Sequence, residues 1–134
     1  MFKPIRYDDG KLITIPSGTV SGTTITKGDA LDWASGYLQR ATSATTEVKL
    51  VAMEDKTTAA GAHEDILCIV TDGVQFEGDT AGNSAVTDRG TKKDLTDHAT
   101  INDDASSNDV FYVVDTVGAA ADKKVVGYFI QKTS

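Results

Sequence analysis

The apolar residues of this chain come in short runs, rarely longer than about eight residues, and each run is cut off by a cluster of Gly, Asp, Asn, Ser or Thr. Such runs are too short for amphipathic helices, and they are rich in Val, Ile, Thr and aromatic residues, which pack well on a pleated surface. The pattern predicts an all-β fold: a small single-domain β-barrel or sandwich of short antiparallel strands. The longest uninterrupted apolar stretch, Ile66-Leu67-Cys68-Ile69-Val70, falls far short of the roughly 20 residues of a membrane-spanning helix. Its continuous character predicts a strand buried on both faces. The 134 residues are enough for one domain with a core of its own.

Turn chemistry places the strands. Asp-Asp-Gly-Lys at Asp8 to Lys11 separates Lys3 to Tyr7 from Leu12 to Ile15 and predicts an N-terminal hairpin, since Asp-Gly supplies the positive φ of a tight turn. A Lys27-Gly28-Asp29 turn follows Thr23 to Thr26, and Ala34-Ser35-Gly36 joins Ala30 to Trp33 with Tyr37 to Ala41 in a second hairpin. Leu31, Ala34 and Leu38 also fall near helical spacing, but Gly36 inside so short a segment costs about 1 kcal/mol and favours strands. Val48 to Glu54 and Ile66 to Thr71 read as central strands around a loop at Asp55 to Asp65. Asp72-Gly73 turns into Val74 to Glu77, and Gly78 to Gly90 reads as a surface excursion anchored by Val86. Thr91 to Ala99 is open between a helical turn and a short strand. Asn102 to Asp109 reads as a polar loop, and Val110 to Val117 with Lys124 to Lys132 predicts a long C-terminal hairpin. Residues 1–22 thus form an N-terminal arm or hairpin, and residues 23–134 a single β-barrel domain.

Thirteen Lys and Arg against 20 Asp and Glu leave a net charge of −7, which opposes phosphate backbones and anionic lipid, so neither nucleic acid nor membrane is an expected partner. The N-terminal residues have no apolar stretch after their basic ones, so no secretory signal is expected. Cys68, the one cysteine, lies in the apolar run and reads as a buried structural thiol.

Chemistry-bearing patterns fail on spacing. Glu54, Asp55, Glu64 and Asp65 bracket one loop but read as solvated carboxylates. His63-Glu64 lacks the second histidine of a zinc-protease helix, because Leu67 stands there, and His98 lies in another loop. Asp104, Ser106, Asn108 and Asp115 have calcium-loop spacing, but Asp109 stands where the turn needs glycine. Met53-Glu54-Asp55-Lys56 lacks the flanking glycines of a lipoyl-type hairpin. No phosphate loop, nucleophile elbow or Cys/His pair is present, so no enzyme, cofactor or metal is expected. Trp33 with Tyr37 is the one pair from which a carbohydrate-binding aromatic face can be built.

Four pairs, Gly28-Asp29, Gly36-Tyr37, Ala41-Thr42 and Val51-Ala52, together with the strands around them, resemble the small capsid decoration (cement) and head-structural proteins of tailed bacteriophages. The resemblance implies a compact β-barrel and a non-enzymatic virion protein, assembled in the host cytoplasm. Such a protein binds the outer surface of the head, commonly as a homotrimer, and bridges subunits of the major capsid protein. Another virion component, of the tail or of head completion, and a carbohydrate-binding β module are the alternatives. On this reading Phe2, Lys3, Pro4, Ile5, Arg6 and Tyr7 are the candidate capsid-contact arm, basic in an acidic protein. The arm either pairs within its own domain as the first strand of the Asp8 to Lys11 hairpin or adds a strand to a capsid subunit.

Overall fold

A computed structural model describes residues 1–133. It is all-β, with 44% of the residues in strands and 7% in three short 3-10 turns. In chain order the strands are β1 (Lys3–Arg6), β2 (Leu12–Ile15), β3 (Thr24–Ile25), β4 (Ala30–Ala34), β5 (Tyr37–Arg40), β6 (Leu50–Ala52) and β7 (Lys56–Thr57). They continue with β8 (Ile66–Val70), β9 (Gln75–Thr80), β10 (Lys92–Leu95), β11 (Thr100–Asn102), β12 (Phe111–Val117) and β13 (Lys124–Phe129).

One sheet runs β1-β9-β11-β10-β12-β13, and β13 also pairs with β9, so its pairings return on themselves and leave β1 attached outside the ring. The second sheet runs β2-β8-β6-β4-β5, and β3 pairs with β7 in a small ribbon. The first core is built around Phe2, Phe76, Phe111 and Phe129 and takes in Ala30, Val51 and Ile69 from the second sheet. The opposite face of that sheet buries Leu31, Leu38, Leu50, Ile66 and Cys68 beside Ile25 of the ribbon. Ile66 to Val70 is therefore packed on both faces, as its unbroken apolar run predicts.

The local signals account for two hairpins directly. β4 and β5 pair Leu31 with Arg40 through Ala34 with Tyr37, joined by Ser35 and Gly36 at φ 52° and 87°. Two positive φ angles in a row match the right-handed twist of the flanking strands, and glycine adopts them without strain. β12 and β13 pair from Phe111–Phe129 to Val117–Lys124 with one bulge, forming the long C-terminal hairpin.

The Asp8 to Lys11 hairpin does not form. Neither Asp9 nor Gly10 takes a positive φ; Asp9–Lys11 is a 3-10 turn closed by the Lys11 N–H on the Asp8 carbonyl at 3.1 Å. β1 goes to β9 in the first sheet and β2 to β8 in the second, so the turn carries the chain across the domain. The expected loop at Asp55 to Asp65 contains β7, and the undecided Thr91 to Ala99 contains β10. Gly78 to Gly90 is not a surface excursion throughout, because Gly78, Asp79 and Thr80 complete β9 and Gly78 is buried. A Cβ on Gly78 would stand 2.9 Å from both Ile101 Cδ1 and Phe2 Cε1, so the missing side chain is the space these residues fill. Val86, the expected anchor, is 64% exposed.

Candidate interaction surface

The first fifteen residues are woven into both sheets. Phe2 is fully buried: its N–H donates to the Gly28 carbonyl at 2.8 Å, and its ring lies 4.8 Å from Phe129 and 5.9 Å from Phe111, centroid to centroid. The Met1 amine donates to Asp79 Oδ2 and to the Ala99 carbonyl, each at 3.1 Å. Burial pushes the Asp79 carboxyl up, but hydrogen bonds from Lys124 Nζ and the Met1 amine outweigh it and hold it below the usual carboxylate range. Phe2 is thus a core residue of this domain, and the N-terminal residues called an arm or hairpin pair through β1 and β2 with β9 and β8.

Beyond Phe2 the segment turns outward. Pro4 stands opposite Phe76, and Lys3 opposite Glu77 on the outer side of β9; the register shifts between Pro4 and Arg6, a bulge that throws Ile5 out. Ile5 and Tyr7 are 38% and 44% exposed, and Lys3 and Arg6 are exposed as well. Arg40, Lys49, Lys56, Arg89, Lys93 and Lys124 are each in an ion pair; Lys3 and Arg6 have none among the described residues, as is also true of Lys11, Lys27, Lys92, Lys123 and Lys132. Residues 3–7 thus present two exposed cations and two exposed apolar side chains on a strand held in place by a buried aromatic, with the exposed Asp8 and Asp9 following directly.

The other residues singled out in the sequence are distributed over structural tasks. Glu54 pairs with Lys56 at 3.1 Å and accepts the Leu67 N–H; Asp55 accepts the Lys27 N–H and Asp65 the Ser17 N–H. His63 stacks on Tyr37 at 3.9 Å and donates through Nδ1 to the Thr19 carbonyl, while His98 lies 3.9 Å from the buried Asp29, which Arg40 Nε meets at 2.7 Å. Asp115 lies within β12, paired with Arg89. Trp33 stands opposite Leu38 and Tyr37 opposite Ala34, so the two rings leave opposite faces of the hairpin and form no common sugar platform. Among the described residues no three His, Cys, Asp or Glu side chains lie close enough together to hold one metal ion. Cys68 is fully buried, and burial, with the Glu54 charge adding to it, pushes its thiol up to about 12.

Sequence reasoning missed Asp94. Its buried carboxylate accepts the Ser107 hydroxyl at 2.9 Å and the backbone N–H groups of Ser107, Asn108 and Asp109 at 2.7 to 3.1 Å. Burial pushes this carboxyl up and those donors outweigh it, bringing it below the ordinary value. The polar loop is therefore wound around a single anion, which orders a segment with little apolar surface of its own. Scans against protein-family models, characterised proteins and solved structures each find no match to this chain.

Proposed function

We propose that this chain is a non-enzymatic structural protein of a phage virion, assembled in the host cytoplasm, that binds the outer capsid surface and stabilises it by bridging subunits of the major capsid protein. The observation that carries the proposal is the N-terminal strip: Lys3, Ile5, Arg6 and Tyr7 are exposed on a segment fixed by Phe2, and neither cation has an ion pair among the described residues. A preordered strip loses little conformational entropy on binding, and its charge suits an acidic capsid groove. The net charge of −7 keeps the rest of the surface off packaged DNA.

The test is electron microscopy of phage heads lacking the protein, mixed with the wild-type chain or with Lys3→Glu/Arg6→Glu. Added density on the outer lattice with the wild type, reduced by the charge reversal, supports the reading. Density confined to the tail or to the head–tail junction assigns the chain to another part of the virion. Absence of any added density overturns the proposal.

A further inference from the structure

The antiparallel ladder between β9 and β13 stops short. Hydrogen-bonded pairs in such a ladder fall at every second residue. The Thr80 N–H donates to the Lys123 carbonyl at 2.8 Å, and Gly78 then pairs with Val125 and Phe76 with Gly127. The next pair in this series, Val74 with Phe129, does not form. The Val74 N–H donates instead to the Thr71 carbonyl at 3.1 Å, and the Phe129 carbonyl accepts from Gln131 Nε2 at 3.1 Å. The Ile130 N–H is given to Val110 on the β12 side, so the polar groups of Phe129, one residue earlier, point to the β9 side. Among the described residues neither the Phe129 N–H nor the Val74 carbonyl meets a partner, although both residues are only 1% exposed. Residues 72–75 and 128–131, which would have continued the ladder, line a cavity of about 500 Å³, within the range of small-ligand sites.

One wall of this cavity is aromatic. Tyr128 of β13 and Tyr112 of β12 stand opposite each other and stack with centroids 5.1 Å apart and ring planes 20° apart. Tyr112 covers the Tyr128 ring from the β12 side, so the other face of that ring turns toward β9 and the cavity. Gln75 alternates with the inward-facing Val74 and Phe76 and stands on the outer side, across the cavity from Tyr128. Along the strands the cavity is blind. The Phe76–Gly127 pair closes one end, and Gln131 Nε2, donating to Thr71 Oγ1 at 3.0 Å, bridges the other.

We propose that this cavity binds a neutral saccharide, a mono- or disaccharide unit that lays the C–H face of one ring on Tyr128 and places hydroxyl groups in the missing rung. Three observations select that chemistry. First, the two unpaired backbone groups are one donor and one acceptor. A hydroxyl both accepts and donates and so serves both, whereas a carboxylate or phosphate has nothing to donate and an ammonium nothing to accept with. Second, charge of both signs stands at the cavity. Asp72 lines it, and Lys11 Nζ lies 3.5 Å from where a Cβ on Gly73 would stand, so a ligand of either charge meets a like one. Third, the closed ends exclude an extended peptide running between the strands, while a compact ring enters from the outer side where Tyr128 is 42% exposed. Trp33 and Tyr37 leave opposite faces of their hairpin, and the stacked tyrosines of β12 and β13 supply the aromatic face that this pair does not. The proposal concerns the domain alone and is independent of capsid binding.

The experiment is an amide-resolved NMR titration of the full chain, through the millimolar range, with maltose, cellobiose, lactose and diacetylchitobiose. A hexose phosphate, a protonated hexosamine and N-acetylglycine methylamide are titrated beside them. At least one neutral disaccharide is expected to shift the Phe129 and Gly73 amides saturably. Tyr128→Ala, and Tyr128→Val, which retains strand propensity, are each expected to weaken that binding at least about tenfold. Tyr128→Phe keeps the ring and is expected to bind like the wild type, as is Trp33→Ala. The proposal is overturned by the absence of a saturable shift at Phe129 with every neutral disaccharide, or by shifts centred on Trp33 and Tyr37. Tighter binding of a charged sugar or of the acetylated amide than of any neutral sugar overturns it as well, and so does a folded Tyr128→Ala or Tyr128→Val that binds as before.

Discussion

Replacing Phe2 by Ala separates a capsid arm from a core strand. The ring has no solvent exposure, meets Phe129 edge-on with centroids 4.8 Å apart, and fills the space opposite Gly78. Phe→Ala at such a site costs about 3–5 kcal/mol, combining lost transfer energy with the cavity left behind. Domains of this size are stable by about 5–15 kcal/mol, so the variant loses a large part of the total. With a melting shift of about 3–5 °C per kcal/mol for a chain of intermediate length, the expected fall is about 10–20 °C. The assay is thermal and urea unfolding of Phe2→Ala beside Arg6→Glu, which removes an exposed cation and is expected to change stability by less than about 0.5 kcal/mol. Deletion of residues 1–7 is expected to unfold the domain. A Phe2→Ala protein melting within about 3 °C of the wild type, especially one that no longer binds heads, would refute the reasoning and restore the free arm.

The C-terminal segment gives a pH signature: burial raises the Glu47 carboxyl, but hydrogen bonds from Lys132 and Thr133 and the Lys49 charge outweigh it and lower it from 4.5 to about 2. Because the folded value is the lower one, the stabilisation is complete above pH 4.5 and is lost as pH falls through that window toward 2; its worth is about 1 kcal/mol after solvent screening, and Glu47→Gln should remove that part of the acid sensitivity of the urea midpoint. Asp94→Ala is expected to cost about 2–4 kcal/mol and to speed amide exchange at Ser107, Asn108 and Asp109, whereas unchanged exchange there would show that the loop holds without the carboxylate. Cys68, with its thiol pushed up to about 12, is expected to resist Ellman's reagent in the native protein and to react fully in denaturant; labelling under native conditions would contradict its burial.

Wherever neighbouring residues carry the whole signal, the fold was legible in the sequence. Ser35-Gly36 makes its hairpin because two positive φ angles suffice to reverse the chain, and β12 with β13 pairs across a short connection between matched β-branched and aromatic runs. Ile66 to Val70 declared its two-sided burial by having no polar face, since a strand alternates sides with every residue. Tertiary structure decided what depends on distant partners. Asp8 to Lys11 had the residues of a hairpin, but Phe2 has a better place among Phe76, Phe111 and Phe129 than a two-stranded ribbon offers, and this burial sends β1 and β2 to different sheets. Gly78 and Thr80 read as loop because composition registers a small or polar residue and not the ring that fills the space beside it. The N-terminal strip was legible as a cluster of basic and apolar residues at one end of the chain, but which of them face outward was decided by the burial of Phe2 and the bulge at Ile5. Where each sheet ends was likewise decided by the assembled topology. The ends of a sheet are set by which strands find no further partner, a property of the assembled topology that no local stretch of residues encodes.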